Sequence, residues 1–208
     1  MVKHKSWGSK TMMQGSGRPK SAEEIAAASE PSLTAGSCAL RHPEIAVIVQ
    51  NALIHFNEIR YTISAWCIMP NHVHVVVTPL LHYSIPAIMH SWKSFTSNHI
   101  NKILGLDGPF WERESFDHLI RSFEDWVRFI RYTEDNPVLA GLCAKPENWP
   151  FSHCGAGFQP AFPEGFELID SRKTPFVPLQ CRGELPHLYK DGCTYFITFR
   201  QFDAVATD

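Results

Sequence analysis

Met69-Pro70-Asn71-His72-Val73-His74-Val75-Val76-Val77-Thr78 reads as a turn followed by a strand. Successive side chains of a strand alternate faces, so His72 and His74 point one way while Val73, Val75 and Val77 point the other. The Cα atoms of the two histidines then lie about 7 Å apart, two steps of ~3.3–3.4 Å. Imidazoles at that spacing can close on one divalent ion. A half-buried strand ordinarily carries bland polar residues on its second face; this one carries two ligand-type residues side by side. Spacing by itself also fits ordinary strand-surface histidines, so the pair is a candidate that needs further residues.

Working outward, residues 60–68 alternate, with Tyr61, Ile63, Ala65 and Cys67 set against Thr62, Ser64 and Trp66. This predicts a strand that forms a hairpin with 72–78 across Met69-Pro70-Asn71. Upstream, 42–57 reads as a helix with Pro43 in its first turn and Ile45, Ile48, Ala52 and Phe56 on one stripe. Downstream, 84–104 reads as a second helix. Ser84 is its N-cap, Ile88, Trp92, Phe95 and Ile103 form its apolar side, and Gly105 stops it. Gly108 to His118 is aromatic-rich and irregular or short-stranded. A third helix starts at Ser122, with Asp125 placed as in a capping box, and is expected to end near Asp135 because the residue before Pro137 avoids the α region. Its apolar stripe is Phe123, Trp126, Val127 and Ile130. Gly155 to Gly165 has linker composition. Cys193 to Arg200 is β-branched and aromatic, and a lone strand is not stable in water, so the 60–78 hairpin is its natural partner.

The chain has 208 residues, 44% of them hydrophobic, and a formal charge of −2. That is enough for one core plus tails. The absence of an 18-residue apolar run argues against a transmembrane helix, and the basic start has no apolar stretch behind it, so a cytoplasmic protein is expected. Six cysteines without CxxC spacing read as free thiols. Residues 42–150 carry eight Lys/Arg against eleven Asp/Glu. A duplex-wrapping protein would show a basic face, so any nucleic-acid site here is small and local.

On the third helix, Tyr132 lies about half a turn from Phe123, off the apolar stripe, and Asn136 is one turn on, about 6 Å along the axis. One helix face thus presents a phenol and a carboxamide. Helix geometry alone makes these an edge tyrosine and a C-terminal stop. Chemistry adds a second reading. A neutral phenol, titrating near 10, is a weak nucleophile, and a divalent cation that polarises a scissile phosphate compensates. Two histidines and one oxygen ligand with open positions suit Mn²⁺ or Mg²⁺.

Together these segments resemble the single-tyrosine HUH transposases, in particular the REP-associated tyrosine transposases. The carrying stretches are Ala65 to His74, Ser91 to Thr96, Phe110 to His118, Tyr132 to Leu142 and Trp149 to Ser152. They appear in the family's order and spacing over about residues 38–153. The resemblance implies an α+β fold: a ferredoxin-like antiparallel sheet with helices on one face and the catalytic helix near the histidines. It implies His72, His74 and Asn136 as ligands of Mg²⁺ or Mn²⁺, with Tyr132 the nucleophile that forms a 5′-phosphotyrosine link. It implies single-stranded DNA hairpins as substrate, cut and rejoined, by a monomer or homodimer with no membrane partner.

In that family the first strand precedes the first helix, and residues 1–41 contain no such strand. Residues 182–208 look like the missing start, so the chain is expected to be circularly permuted: a poorly ordered leader at 1–37, a catalytic core at 38–153, a linker at 154–181, and 182–208 completing the core. The rival is a relic in which 182–208 begins a second copy. Lys93, Arg113 and Arg131 are the candidate phosphate contacts. Trp92, Trp111 and Phe116 are candidates for base stacking, with core packing the preferred role for at least two. His118 is expected near the site or structural, Glu134 on the surface, Cys67 in the core. A relaxase or replication initiator would bring a large extra domain or paired tyrosines, which are absent. A domesticated or inactive protein that binds DNA hairpins without cutting is the alternative.

Overall fold

The computed structural model describes residues 38–154 and 192–202. The leader, almost all of the linker, and residues 182–191 and 203–208 lie outside them. The elements are α1 (Pro43–His55), β1 (Tyr61–Ile68), β2 (His72–Pro79), α2 (Ile85–Leu104), β3 (Phe116–Leu119), α3 (Phe123–Leu139) and β4 (Tyr195–Arg200). The four strands form one antiparallel sheet in the order β1-β2-β4-β3. The last of the described strands is therefore central, and β3 is attached to the sheet through it. The architecture is α+β. Among the described residues no helix is long and apolar enough to cross a membrane.

Local signals set the helix limits. Ser84 Oγ accepts from the Ala87 N–H at the start of α2, and Ser122 Oγ accepts from Asp125 N–H at the start of α3. Gly105 ends α2 at φ 64°, a conformation that costs glycine nothing. Helix α3 does not stop before Pro137; it runs through it to Leu139. A proline this close to the end removes little hydrogen bonding, and the helix closes three residues later. There the Leu142 N–H reaches Pro137 O, the Gly141 N–H reaches Val138 O, and Gly141 takes φ 68°.

The helices occupy both faces of the sheet, not one. Helices α1 and α2 cover the face carrying Tyr61, Ile63, Trp66, Val73, Val75, Val77, Ile197 and Phe199. Helix α3 packs Trp126, Phe129 and Ile130 on the other face, against Ala65, Val76 and Phe196. The β1 alternation also differs from its simple reading. The register shifts between Ile63 and Ala65, leaving Ser64 as an extra residue. One inserted residue exchanges the faces beyond it, so Tyr61 and Ile63 share a face with Trp66 and Ile68, while Ala65 and Cys67 turn to the other.

The buried stripes follow the partners each helix meets. On α1, Ile45, Val49, Ala52 and Leu53 are buried, with Ile48 and Phe56 at the margin. On α2 the buried line is Ile88, Trp92, Thr96 and Ile100, and Phe95 and Ile103 are exposed. Thr96 is tolerated there because its hydroxyl donates to Trp92 O and accepts from Trp111 Nε1–H. On α3, Phe129 is buried and Phe123 is partly exposed. The core side of α3 is therefore turned toward Phe129, and Tyr132 falls beside it, packed against the second cluster.

Candidate active site

His72 and His74 project from β2 into the α3 face, and both are buried. Their Nε2 atoms are 3.0 Å apart. Each Nδ1 is already engaged, His72 with Asn71 Oδ1 at 2.7 Å and His74 with Thr198 Oγ1 at 2.8 Å. Asn71 Oδ1 can only accept, so the Nδ1–H of His72 donates to it, and the Nε2 of His72 faces that of His74. Burial, with His72 beside it, holds the His74 pKa well below the usual imidazole value, so His74 is neutral at pH 7. Two ring nitrogens facing each other at this distance share one proton or one cation. Ligands ~2.0–2.1 Å from one ion and 90° apart would be separated by about 3 Å. The pair and its outer hydrogen bonds therefore fit a divalent metal.

Two strands build this arrangement. Thr198 lies directly opposite His74 on β4, and Phe196 lies opposite Val76. The Phe196 ring stacks on His74, with centroids 5.5 Å apart and planes 18° apart. From above, the Tyr132 ring meets His74 edge-on at 5.4 Å and Phe196 at 5.8 Å. The structure thus brings Tyr132 to the histidine pair. Asn136 is buried one turn further along α3.

The basic candidates separate. Arg113 and Arg131 are exposed. Lys93 is elsewhere: it belongs to α2 on the opposite face, and its ammonium donates to the carbonyls of Glu112, Arg113 and Glu114. Burial lowers its pKa to about 8. It straps the 112–114 segment to α2. Trp92 and Trp111 are core residues, with Nε1–H donated to Tyr61 Oη and Thr96 Oγ1 respectively. Phe116 sits on the α3 face, 6.4 Å from the Phe196 ring. His118, opposite Phe196 on β3, packs on Phe129 at 5.0 Å. Cys67 is fully buried.

Glu134, expected on the surface, is half-buried and paired. Its carboxylate lies 3.0 Å from Nε2 of the buried His153, which lowers the carboxyl pKa. Asn71, Thr198 and Phe196 had no signal as individual residues. The alternation of Phe196 and Thr198 with Ile197 and Phe199 was visible, but the register that sets Thr198 on His74 was not.

The family model described as IS200-like transposase matches residues 46–118. That stretch spans most of α1 through β3 and includes both histidines; Tyr132 and Asn136 lie beyond it. The similarity supports a transposase-type action on DNA. No curated protein and no solved structure matches the chain.

Proposed function

We propose that this chain nicks and rejoins single-stranded DNA that carries hairpins, with Tyr132 as the nucleophile. The observation that carries the reading is the Tyr132 ring packed at 5.4 Å on a histidine whose Nε2 faces a second imidazole nitrogen at 3.0 Å. His72, His74 and Asn136 would hold Mg²⁺ or Mn²⁺, which supplies polarisation of the phosphate and neutralises charge as it develops. Asn71 and Thr198 orient the two imidazoles. Phe196 and the α3 packing hold the phenol beside them.

In the reaction, the Tyr132 hydroxyl oxygen forms a bond to phosphorus and its proton departs. The bond from phosphorus to the 3′ oxygen breaks, and that oxygen takes up a proton. The 5′ end remains on the enzyme as a phosphotyrosine. A 3′-hydroxyl reverses the step on another strand, and the conserved phosphoester energy makes ATP unnecessary. Arg113 and Arg131 are exposed and available for backbone phosphates. The acidic balance of the core suits a short, local DNA contact.

The permuted arrangement belongs to the same reading. Taken from β4 onward, the elements run β4, α1, β1, β2, α2, β3, and β4 lies between β2 and β3. That is a βαββαβ order with the interleaved strands of a ferredoxin-like sheet, and it supports residues 182–208 as the first-strand segment of a core at 38–153.

The test is incubation of the purified protein with labelled single-stranded hairpin DNA and Mn²⁺. Palindromes flanking its own gene are the first substrates to try. A denaturation-resistant adduct, lost with chelator and in Tyr132→Phe, is the expected result. Hairpin binding without an adduct would replace this reading by that of a DNA-binding protein.

A further inference from the structure

Beyond the histidine pair, we infer that Glu134, His153 and Cys154 form a second metal site, built for Zn²⁺. Three donors of different types meet here. Glu134 Oε1 is 3.0 Å and Cys154 Sγ is 3.6 Å from the same nitrogen, His153 Nε2. All three donor atoms lie within 4.8 Å of one another. The ring is held before any ligand arrives. His153 is only 1% exposed, its Nδ1 is 3.3 Å from Trp66 O, and its backbone N–H also donates to that carbonyl. In the metal-free chain Nε2–H donates to the Glu134 carboxylate; a metal would displace that proton, and Nδ1–H held on Trp66 O would then turn the Nε2 lone pair toward the ion.

Both spacings to His153 Nε2 fit one ion. With nitrogen ~2.0–2.1 Å and sulfur ~2.3 Å from zinc, a tetrahedral angle separates them by about 3.6 Å. Nitrogen and carboxylate oxygen fall about 2.9–3.4 Å apart for angles from 90° to tetrahedral. A mixed nitrogen, oxygen and thiolate set favours Zn²⁺ over the hard ions suited to phosphate chemistry. Three protein donors leave a fourth position for water.

The site would act as a clamp. Glu134 is on α3, two residues from Tyr132. His153 and Cys154 end a segment already laced to β1: Trp149 Nε1–H donates to Ile68 O, Ile68 N–H donates to Phe151 O, and Ser152 bridges Cys67. Zinc would therefore lock α3 to the sheet edge. The clamp's bearing on catalysis rests on the Tyr132 reading; the metal site itself does not.

The probe is Co²⁺, added to full-length protein stripped with chelator. The histidine pair has no cysteine donor, so a thiolate-to-Co²⁺ charge-transfer band cannot come from it, and Cys154→Ser separates the second site from the other thiols. We expect that band in the wild type, its bleaching by Zn²⁺, its loss in Cys154→Ser, and Zn²⁺ affinity at least about 10–100-fold weaker in Glu134→Gln. No thiolate band in the wild type overturns the proposal, as does a band that survives Cys154→Ser. Should Cys154→Ser fail to fold, X-ray absorption on the Zn²⁺-loaded wild type decides. One sulfur with nitrogen and oxygen neighbours supports the site, and a shell without sulfur overturns it.

Discussion

Deleting residues 182–208 should unfold the protein. The deletion removes β4, whose Phe196, Ile197 and Phe199 are each 2% exposed or less. Fully burying an aliphatic or aromatic side chain contributes about 1.5–3 kcal/mol, so these three account for roughly 5–9 kcal/mol. Tyr195, also buried, adds to that. The total rivals the ~5–15 kcal/mol net stability of a typical domain. The loss is structural as well. Strand β2 loses a hydrogen-bonding neighbour and β3 its attachment to the sheet, while the second core cluster loses Phe196 from its centre. Near-UV circular dichroism and urea unfolding would follow the effect, with Phe196→Ala as a graded control expected to cost ~3–5 kcal/mol. A deleted chain that keeps its near-UV spectrum and unfolds cooperatively at an unchanged midpoint would refute the reasoning, and with it the proposal that 182–208 completes the core.

Three further outcomes follow from individual contacts. Thr198→Val keeps the shape of the side chain but removes the partner of His74 Nδ1; Mn²⁺-dependent adduct formation should fall about 10–100-fold with little change in melting temperature, measured side by side. Lys93→Ala leaves three backbone carbonyls without their shared donor; it should destabilise by about 1–3 kcal/mol while the salt dependence of DNA binding stays as in the wild type, and a shallower salt slope would return Lys93 to the phosphate contacts. His118 has its pKa lowered by burial, with Asp125 opposing the shift and Arg121 and Arg128 adding to it. Its unfolded form binds a proton from about pH 6.5 downward while the folded form resists, so stability is greatest above that pH and falls on acidification below it. His118→Asn should flatten that slope of melting temperature against pH.

Much of this molecule is written in short stretches. Ser84, Gly105 and Ser122 mark helix ends because capping is chemistry between residues a few positions apart. The period of two in Val73, Val75 and Val77 was enough to put His72 and His74 together on the opposite face. Other features depend on segments distant in the chain. The extra residue at Ser64 exchanged the faces of β1, because register is decided by what β2 offers across the ladder. Pro137 stayed inside α3 because the packed helix and its Gly141 closure outweigh a local backbone bias. Lys93 read as a phosphate contact and Glu134 as a surface charge until the fold carried the 112–114 carbonyls and His153 to them.

The sequence by itself determined the elements, their caps and the shared face of the two histidines, since dihedral preference and periodicity act between near neighbours. Only the tertiary structure decided that β4 enters the middle of the sheet, that α3 crosses to the histidine face, and that Thr198 meets His74 from 124 positions away. Those outcomes come from burying apolar surface between remote segments, a free energy that no single stretch of chain carries.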